Sequence, residues 1–366
     1  MAWPPSQGTA TAEKAIYDLE SLLEKPQLPT HSRSISYAKS AIAKPDSRND
    51  SRQGPSRTIY LDGLRGFCCL LVYSLHHEAW THHPVILENA FGWDNKYYFV
   101  CFPGIRILFS GGHVAVAIFF VVSGYALSVA PLRKIQARET VQLADSLGSA
   151  LFRRWFRLFL PVLFTTFVWM TSWHVFKVRS SNSVALVPEK TYAAELWRFY
   201  CDFKNFSFIF TGEPQNGYND HAWSIPMEFR GSIVVYTALL SFARFKTGKR
   251  LLCELGLIWY VLYVVDGWAC GLFVVGMLLC DLHLLAERDQ LPEVLSRWKS
   301  PPRWIFYGLL FASLYLGGVP SITNDFPHLR ESPGWYLLSF LKPQAVYDFR
   351  WYVGRASVTC ERSALC

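Results

Sequence analysis

Long apolar blocks separated by short polar connections dominate this chain. The apolar stretches run at 63–80, 112–130, 155–173, 222–243, 251–267, 268–285 and 304–319. A helix needs roughly 17 to 25 such residues to cross the hydrocarbon of a bilayer. The blocks therefore predict an all-α fold, a polytopic transmembrane helix bundle of about seven to eight spans. A further block, WYLLSF at 335–340, is too short to cross alone.

The stretches outside the blocks divide the chain. Residues 1–57 are rich in Ser, Pro, Lys and Arg, with one brief amphipathic pattern in AEKAIYDLESLLEK. They read as a disordered, basic cytoplasmic arm. No short charged-then-apolar leader opens the chain, so the first apolar block is expected to act as the signal anchor. Residues 58–345 form the membrane-embedded domain, and 346–366 an atypical C-terminal tail.

Composition supports this reading. The 366 residues are 51% hydrophobic and only 17% charged, with a mean hydropathy of +0.15, whereas soluble chains average about 25% charged. The net charge of +8 does not mark a nucleic-acid partner, because the basic residues fall between apolar blocks. Arg133, Lys134, Arg138, Arg153 and Arg154 belong to one such connection, Arg244, Lys246, Lys249 and Arg250 to the next, and Arg288, Arg297, Lys299 and Arg303 to a third. The positive-inside rule makes their side cytoplasmic, together with the N-terminus. Segments 81–111 and 174–221 then lie on the opposite side, where Asn205 heads a glycosylation sequon, Asn205-Phe206-Ser207. The sequon at Asn49, in the arm, is expected to stay bare. Endomembrane residence, in the endoplasmic reticulum, follows as an expectation. The nine cysteines show no C-x-x-C pair and no zinc-ligand spacing, so neither a metal site nor a disulfide framework is expected.

Ionisable residues inside apolar blocks are costly and are functional candidates by default. The stretch LDGLRGFCCLLVYSLHH holds Arg65 and, eleven positions on, His76. At roughly 100° and 1.5 Å per residue the two share one helix face about 16 Å apart. That face resembles the wall of a polar cavity. The alternative is that Arg65 snorkels to lipid phosphates and His76 sits at the far interface. His77 is rotated about 100° from His76. In FFVVSGYAL, Ser123 and Gly124 lie mid-span, where small residues permit close helix approach. In FRRWFRLFLP, Arg153 and Arg157 share a face with Arg154 adjacent, a set able to hold a phosphorylated donor or simply to mark topology. Glu228, in HAWSIPMEF, sits a turn or two inside a span and calls for a partner, either His76 or an arginine.

Taken in order, LDGLRG with Arg65 and His76 in R-x10-H spacing, FFVVSGYAL, RRWFRLFLP, WSIPMEF and GLFVVGMLL resemble the acyltransferase 3 family of integral membrane O-acyltransferases, in particular its fungal members. The resemblance covers roughly residues 58–342. It implies transfer of an acyl group, expected to be acetyl, from an acyl-CoA donor to a hydroxyl of a small molecule, in fungi often a secondary metabolite. It implies that His76 is the catalytic histidine and that Arg65 belongs to the same signature. Arg153, Arg154, Arg157 and Ser123 are carried over as donor-binding candidates and Glu228 as a catalytic one. His76 would take the proton of the acceptor hydroxyl as it attacks the thioester directly. No base is evident beside Ser123 for a covalent intermediate. The departure is the end of the chain: family members have about ten spans, and RWYVGRASVTCERSALC looks like a truncated end. A membrane transporter or proton-coupled channel and an inactive remnant are the competing readings.

Overall fold

The computed structural model describes residues 59–81, 89–139, 143–177, 188–210, 216–265, 267–296, 302–320 and 332–337. The arm at 1–57, Asn49 and the tail at 346–366 lie outside them. The described residues contain ten α-helices and no strand: α1 Ile59–Thr81, α2 Ile107–Ser110, α3 Gly112–Gln136, α4 Leu143–Phe176, α5 Tyr192–Ser207, α6 Ser224–Phe242, α7 Thr247–Trp259, α8 Trp268–Glu287, α9 Glu293–Ser296 and α10 Arg303–Leu316. A π-helical turn, Tyr260–Val264, follows α7.

Length and apolar composition suffice for a membrane crossing in three of these helices, α3, α4 and α8. The apolar blocks at 63–80 and 222–243 form α1 and α6, whose apolar lengths carry Arg65, His76 and Glu228. The block at 251–267 becomes α7 and the π turn, and that at 304–319 becomes the 14-residue α10. Of WYLLSF only 335–337 is described, a turn with Trp335 buried and stacked on Tyr315.

The connection read as a loop between the second and third blocks is largely helical. Arg133 and Lys134 end α3, and α4 runs on through Arg153, Arg154 and Arg157 for 34 residues. At about 1.5 Å per residue α4 is roughly 50 Å long, well beyond a hydrocarbon core of about 30 Å.

The centre of the bundle is the crossing of α3 over α8. A Cβ on Gly124 would lie 2.1 Å from the Phe273 carbonyl oxygen, and one on Gly276 2.1 Å from that of Val121. Only glycine lets the two backbones approach so closely. Phe120, Tyr236, Leu239, Phe273 and Met277 pack around this crossing, joining α6 to it. Between the ends of α3, α7 and α8 lies a buried polar lock. Arg250 Nε and Nη2 donate to Asp281 Oδ2 and Oδ1 at 2.7 and 2.9 Å, and Gln136 Nε2 donates to Oδ1 at 2.7 Å. Arg250, which the sequence places in a basic loop, is thus inside the bundle.

Segment 174–221 also has structure of its own. Thr191 caps α5, its hydroxyl accepting from the Ala194 amide at 3.3 Å. The helix lays Phe199 and Phe206 against Met170 and Phe159 of α4. Glu195, fully buried, accepts from the Tyr218 hydroxyl at 2.6 Å, the Glu189 amide at 2.7 Å and the Arg198 guanidinium.

Candidate active site

Two groups of ionisable side chains lie along the bundle, one near each end of the polar face of α1. The first centres on Arg154. Leu147 and Arg154 are seven positions apart on the inward stripe of α4, both buried, so an arginine occupies a core position. Its Nη2 donates to Glu228 Oε2, in the second turn of α6, at 3.3 Å. The arginine is 7% exposed and the glutamate 24%. Arg154 Nε is buried and has no hydrogen-bond partner among the described residues. The charges of Arg65 and Arg157 act on both members of the pair. The charges of three guanidinium groups thus outweigh that of one carboxylate at this end, and the Arg154 Nε donor is unused. A polyanion such as a phosphate is the natural complement.

Arg153 and Arg157 face outward from α4. Arg153 donates to Ser149 Oγ at 2.6 Å, and Arg157 lines an outer groove with Phe156, Leu160 and Phe164. The partner of Glu228 is an arginine, Arg154, rather than His76. Ser123 is buried within α3, and no hydrogen bond joins it to an arginine among the described residues.

The second group centres on His76. Gly112 packs against Leu75, so closely that a Cβ there would meet Leu75 Cδ2 at 2.6 Å. This contact brings the next residue of each helix, His113 and His76, into electrostatic range. A third imidazole arrives from the 3-10 turn Asp220–Trp223 that leads into α6: the rings of His76 and His221 meet edge to face, with centroids 4.3 Å apart. The Asn219 side chain caps the turn, accepting from the His221 amide at 3.1 Å. Burial pushes the Asp220 carboxyl above its ordinary range, while the adjacent His221 pulls it down. His77 is turned away and stacks on Tyr73 with centroids 5.7 Å apart.

His113, His221 and Asp220 were not singled out by sequence reasoning. They sit at helix starts, where periodicity says nothing, and only the Leu75–Gly112 contact and the turn before α6 assemble them. Among the described residues no group of three or more His, Cys, Asp or Glu side chains is arranged to hold a metal ion. Asn205 is exposed on the last turn of α5 while the following Phe206 is buried.

A positively charged end and an imidazole end lie along one helix. Residues 58–346 match the family model described as an acyltransferase domain. The O-acetyltransferase PaAT-1 of Phomopsis amygdali is 28% identical, over 92% of this chain and 72% of the relative. Acyltransferase R4 of Phoma sp. (strain ATCC 20986 / MF5453) and acyltransferase clz18 of Cochliobolus lunatus are each 22% identical, over 65% and 64% of this chain. The matched region spans 60% of the length of each of these two. No solved structure matches. The chain belongs to the family of acyltransferase-domain proteins.

Proposed function

We propose that this protein is a membrane-bound O-acetyltransferase that moves an acetyl group from acetyl-CoA to a hydroxyl of a small molecule, a fungal secondary metabolite. The observation that carries this reading is the pairing of a partnerless buried guanidinium donor at Arg154 with an imidazole cluster at His76. Arg65 and His76 stand about 16 Å apart along α1. An extended pantetheine arm covers such a distance, with coenzyme A phosphates at the arginines and the thioester at the imidazoles. Glu228 holds Arg154 in place and keeps its Nε turned toward the donor. The fungal origin of the named relatives supports the acceptor class, and the name of PaAT-1 supports acetyl.

In the reaction, the acceptor hydroxyl gives its proton to His76 as its oxygen bonds to the thioester carbonyl carbon. The carbon–sulfur bond then breaks, and the coenzyme A thiolate takes the proton from His76. An imidazole suits both halves because it exchanges a proton near neutral pH. In this reading the arginine end faces the cytoplasm, where acetyl-CoA is met, and the imidazole end faces the lumen of the endoplasmic reticulum; Arg133 and Lys134 in the last turn of α3 support that orientation.

The test compares metabolite extracts by mass spectrometry from a host lacking the gene, restored with this chain or with its His76→Ala variant. A product heavier by one acetyl group with the unaltered chain alone supports the reading. Equal product from the two removes His76 as the base, and an unmodified metabolite that only changes compartment favours a transporter.

A further inference from the structure

The acyl-transfer reading gives His76 a task that one imidazole on an exposed helix face performs poorly by itself. To act as a base it must present an unprotonated nitrogen to the acceptor, and its other nitrogen must be held to fix tautomer and ring orientation. Nucleophile–base sites meet this need with a third group that orients the base.

We infer that His221, on the turn leading into α6, is the positioning residue for His76, presenting a ring nitrogen to the nitrogen of His76 that faces away from the acceptor. This rests on the acyl-transfer reading. The two rings meet edge to face with centroids 4.3 Å apart, so a small rotation of either ring brings nitrogen to nitrogen. His221 is well placed to be the holder rather than the held. Its backbone amide is fixed by the Asn219 side chain, within the 3-10 turn Asp220–Trp223. His76, by contrast, extends from a long helix with its neighbour Leu75 wedged against Gly112. The arrangement also couples the two ends of the site, because the helix that begins just after His221 carries Glu228, the partner of Arg154, one turn further on.

A ring that merely packs against His76 is the competing explanation, and shape separates the two. Detergent-purified full chain is assayed with acetyl-CoA as donor and an extract of the gene-less host as acceptor pool, following release of the coenzyme A thiol. His221→Phe keeps a flat ring and removes the nitrogens; it is expected to lower kcat about tenfold or more with the KM for acetyl-CoA unchanged. His221→Gln, whose amide still hydrogen-bonds, should recover part of that loss, and free imidazole in the medium should partly rescue His221→Ala. Because His221 is exposed, these variants should melt at the temperature of the unaltered chain. Full activity in His221→Phe overturns the inference, as does a loss confined to KM or one that neither Gln nor imidazole relieves. Failure of the acyl-transfer reading is separately visible: the unaltered chain then releases no thiol above the His76→Ala background.

Discussion

Two buried arginine–carboxylate pairs sit in this bundle, and they are built differently. Arg250 and Asp281 are 4% and 0% exposed and meet through two bonds of 2.7 and 2.9 Å, with Gln136 closing on the same carboxylate. Arg154 and Glu228 touch through one longer bond of 3.3 Å, the glutamate is 24% exposed, and Arg154 Nε is unused. A forked pair with both carboxylate oxygens occupied has little left to offer a ligand, so it serves to join helices. A single long contact with spare donor capacity is a poor joint and a ready anion site. An arginine–carboxylate pair is thus a joint in one place and, in the proposed reading, part of a binding site in the other, and the number of satisfied atoms tells them apart.

Stability separates the pairs most sharply. Arg250→Ala strands Asp281 in the core and also Glu254, one turn along α7, which is 1% exposed with Oε2 already partnerless. Breaking a buried pair from one side costs about 3 to 5 kcal/mol, so this variant should melt early in detergent or fail to accumulate. Arg154→Ala leaves Glu228 beside Arg65 and Arg157 and near the opening of the site, and should cost about 1 to 3 kcal/mol. Thermal unfolding of the two purified variants measures the gap. Equal losses would mean that Arg154 is as much a joint as Arg250.

Ligand binding should reverse the order. Arg154→Lys keeps the charge next to Glu228 but removes the planar fork and its Nε donor. The expected result is a melting temperature close to that of the unaltered chain and a KM for acetyl-CoA raised about tenfold, which corresponds to roughly 1.4 kcal/mol of lost donor binding. An unchanged KM would take the anion away from this end of the site.

How much of this contrast was legible beforehand depends on what each residue's neighbours in sequence said. Arg65, His76 and Glu228 stood alone in apolar runs, where any ionisable group draws notice. Asp281 stood in such a run as well, within GMLLCDLHLL, and its need for a buried partner was readable. Its partner was not, because Arg250 is the last of four basic residues and shares their appearance as a topology signal. For α4 the helical wheel joined Arg153 to Arg157, four positions apart, whereas the inward stripe through Leu147 selects Arg154. Charge pattern reports which end of a helix faces the cytoplasm; which face turns inward depends on the apolar residues around it. The imidazoles of His113 and His221 lay beyond either signal, since tertiary contact at Gly112 and the turn before α6 bring them to His76.

A third pair, outside the crossing helices, extends the comparison at lower stakes. Glu195 of α5 is fully buried, with Arg198, Tyr218 and the Glu189 amide all directed at its carboxylate. By the count of satisfied atoms it is a joint, tying α5 to the segment around Tyr218. Burial by itself would push the Glu195 carboxyl up, but the hydrogen bonds from Tyr218, the Glu189 amide and Arg198 together hold it below its ordinary value of 4.5. A carboxylate held down in the folded state stabilises that state above its unfolded pKa, and the contribution disappears as pH falls through the folded one. Protection of α5 amides, taken as observed exchange relative to the base-catalysed chemical rate at each pH, should therefore be high at neutral pH and fall on acidification below about 4.5, earlier than protection in the α3–α8 crossing. Glu195→Gln keeps the shape and removes the charge, so its α5 should be less protected at neutral pH and its protection should change little on acidification. An acid response as steep in Glu195→Gln as in the unaltered chain would assign it to carboxylates other than Glu195; Asp202, whose carboxyl is pushed up by burial, would respond in the opposite sense.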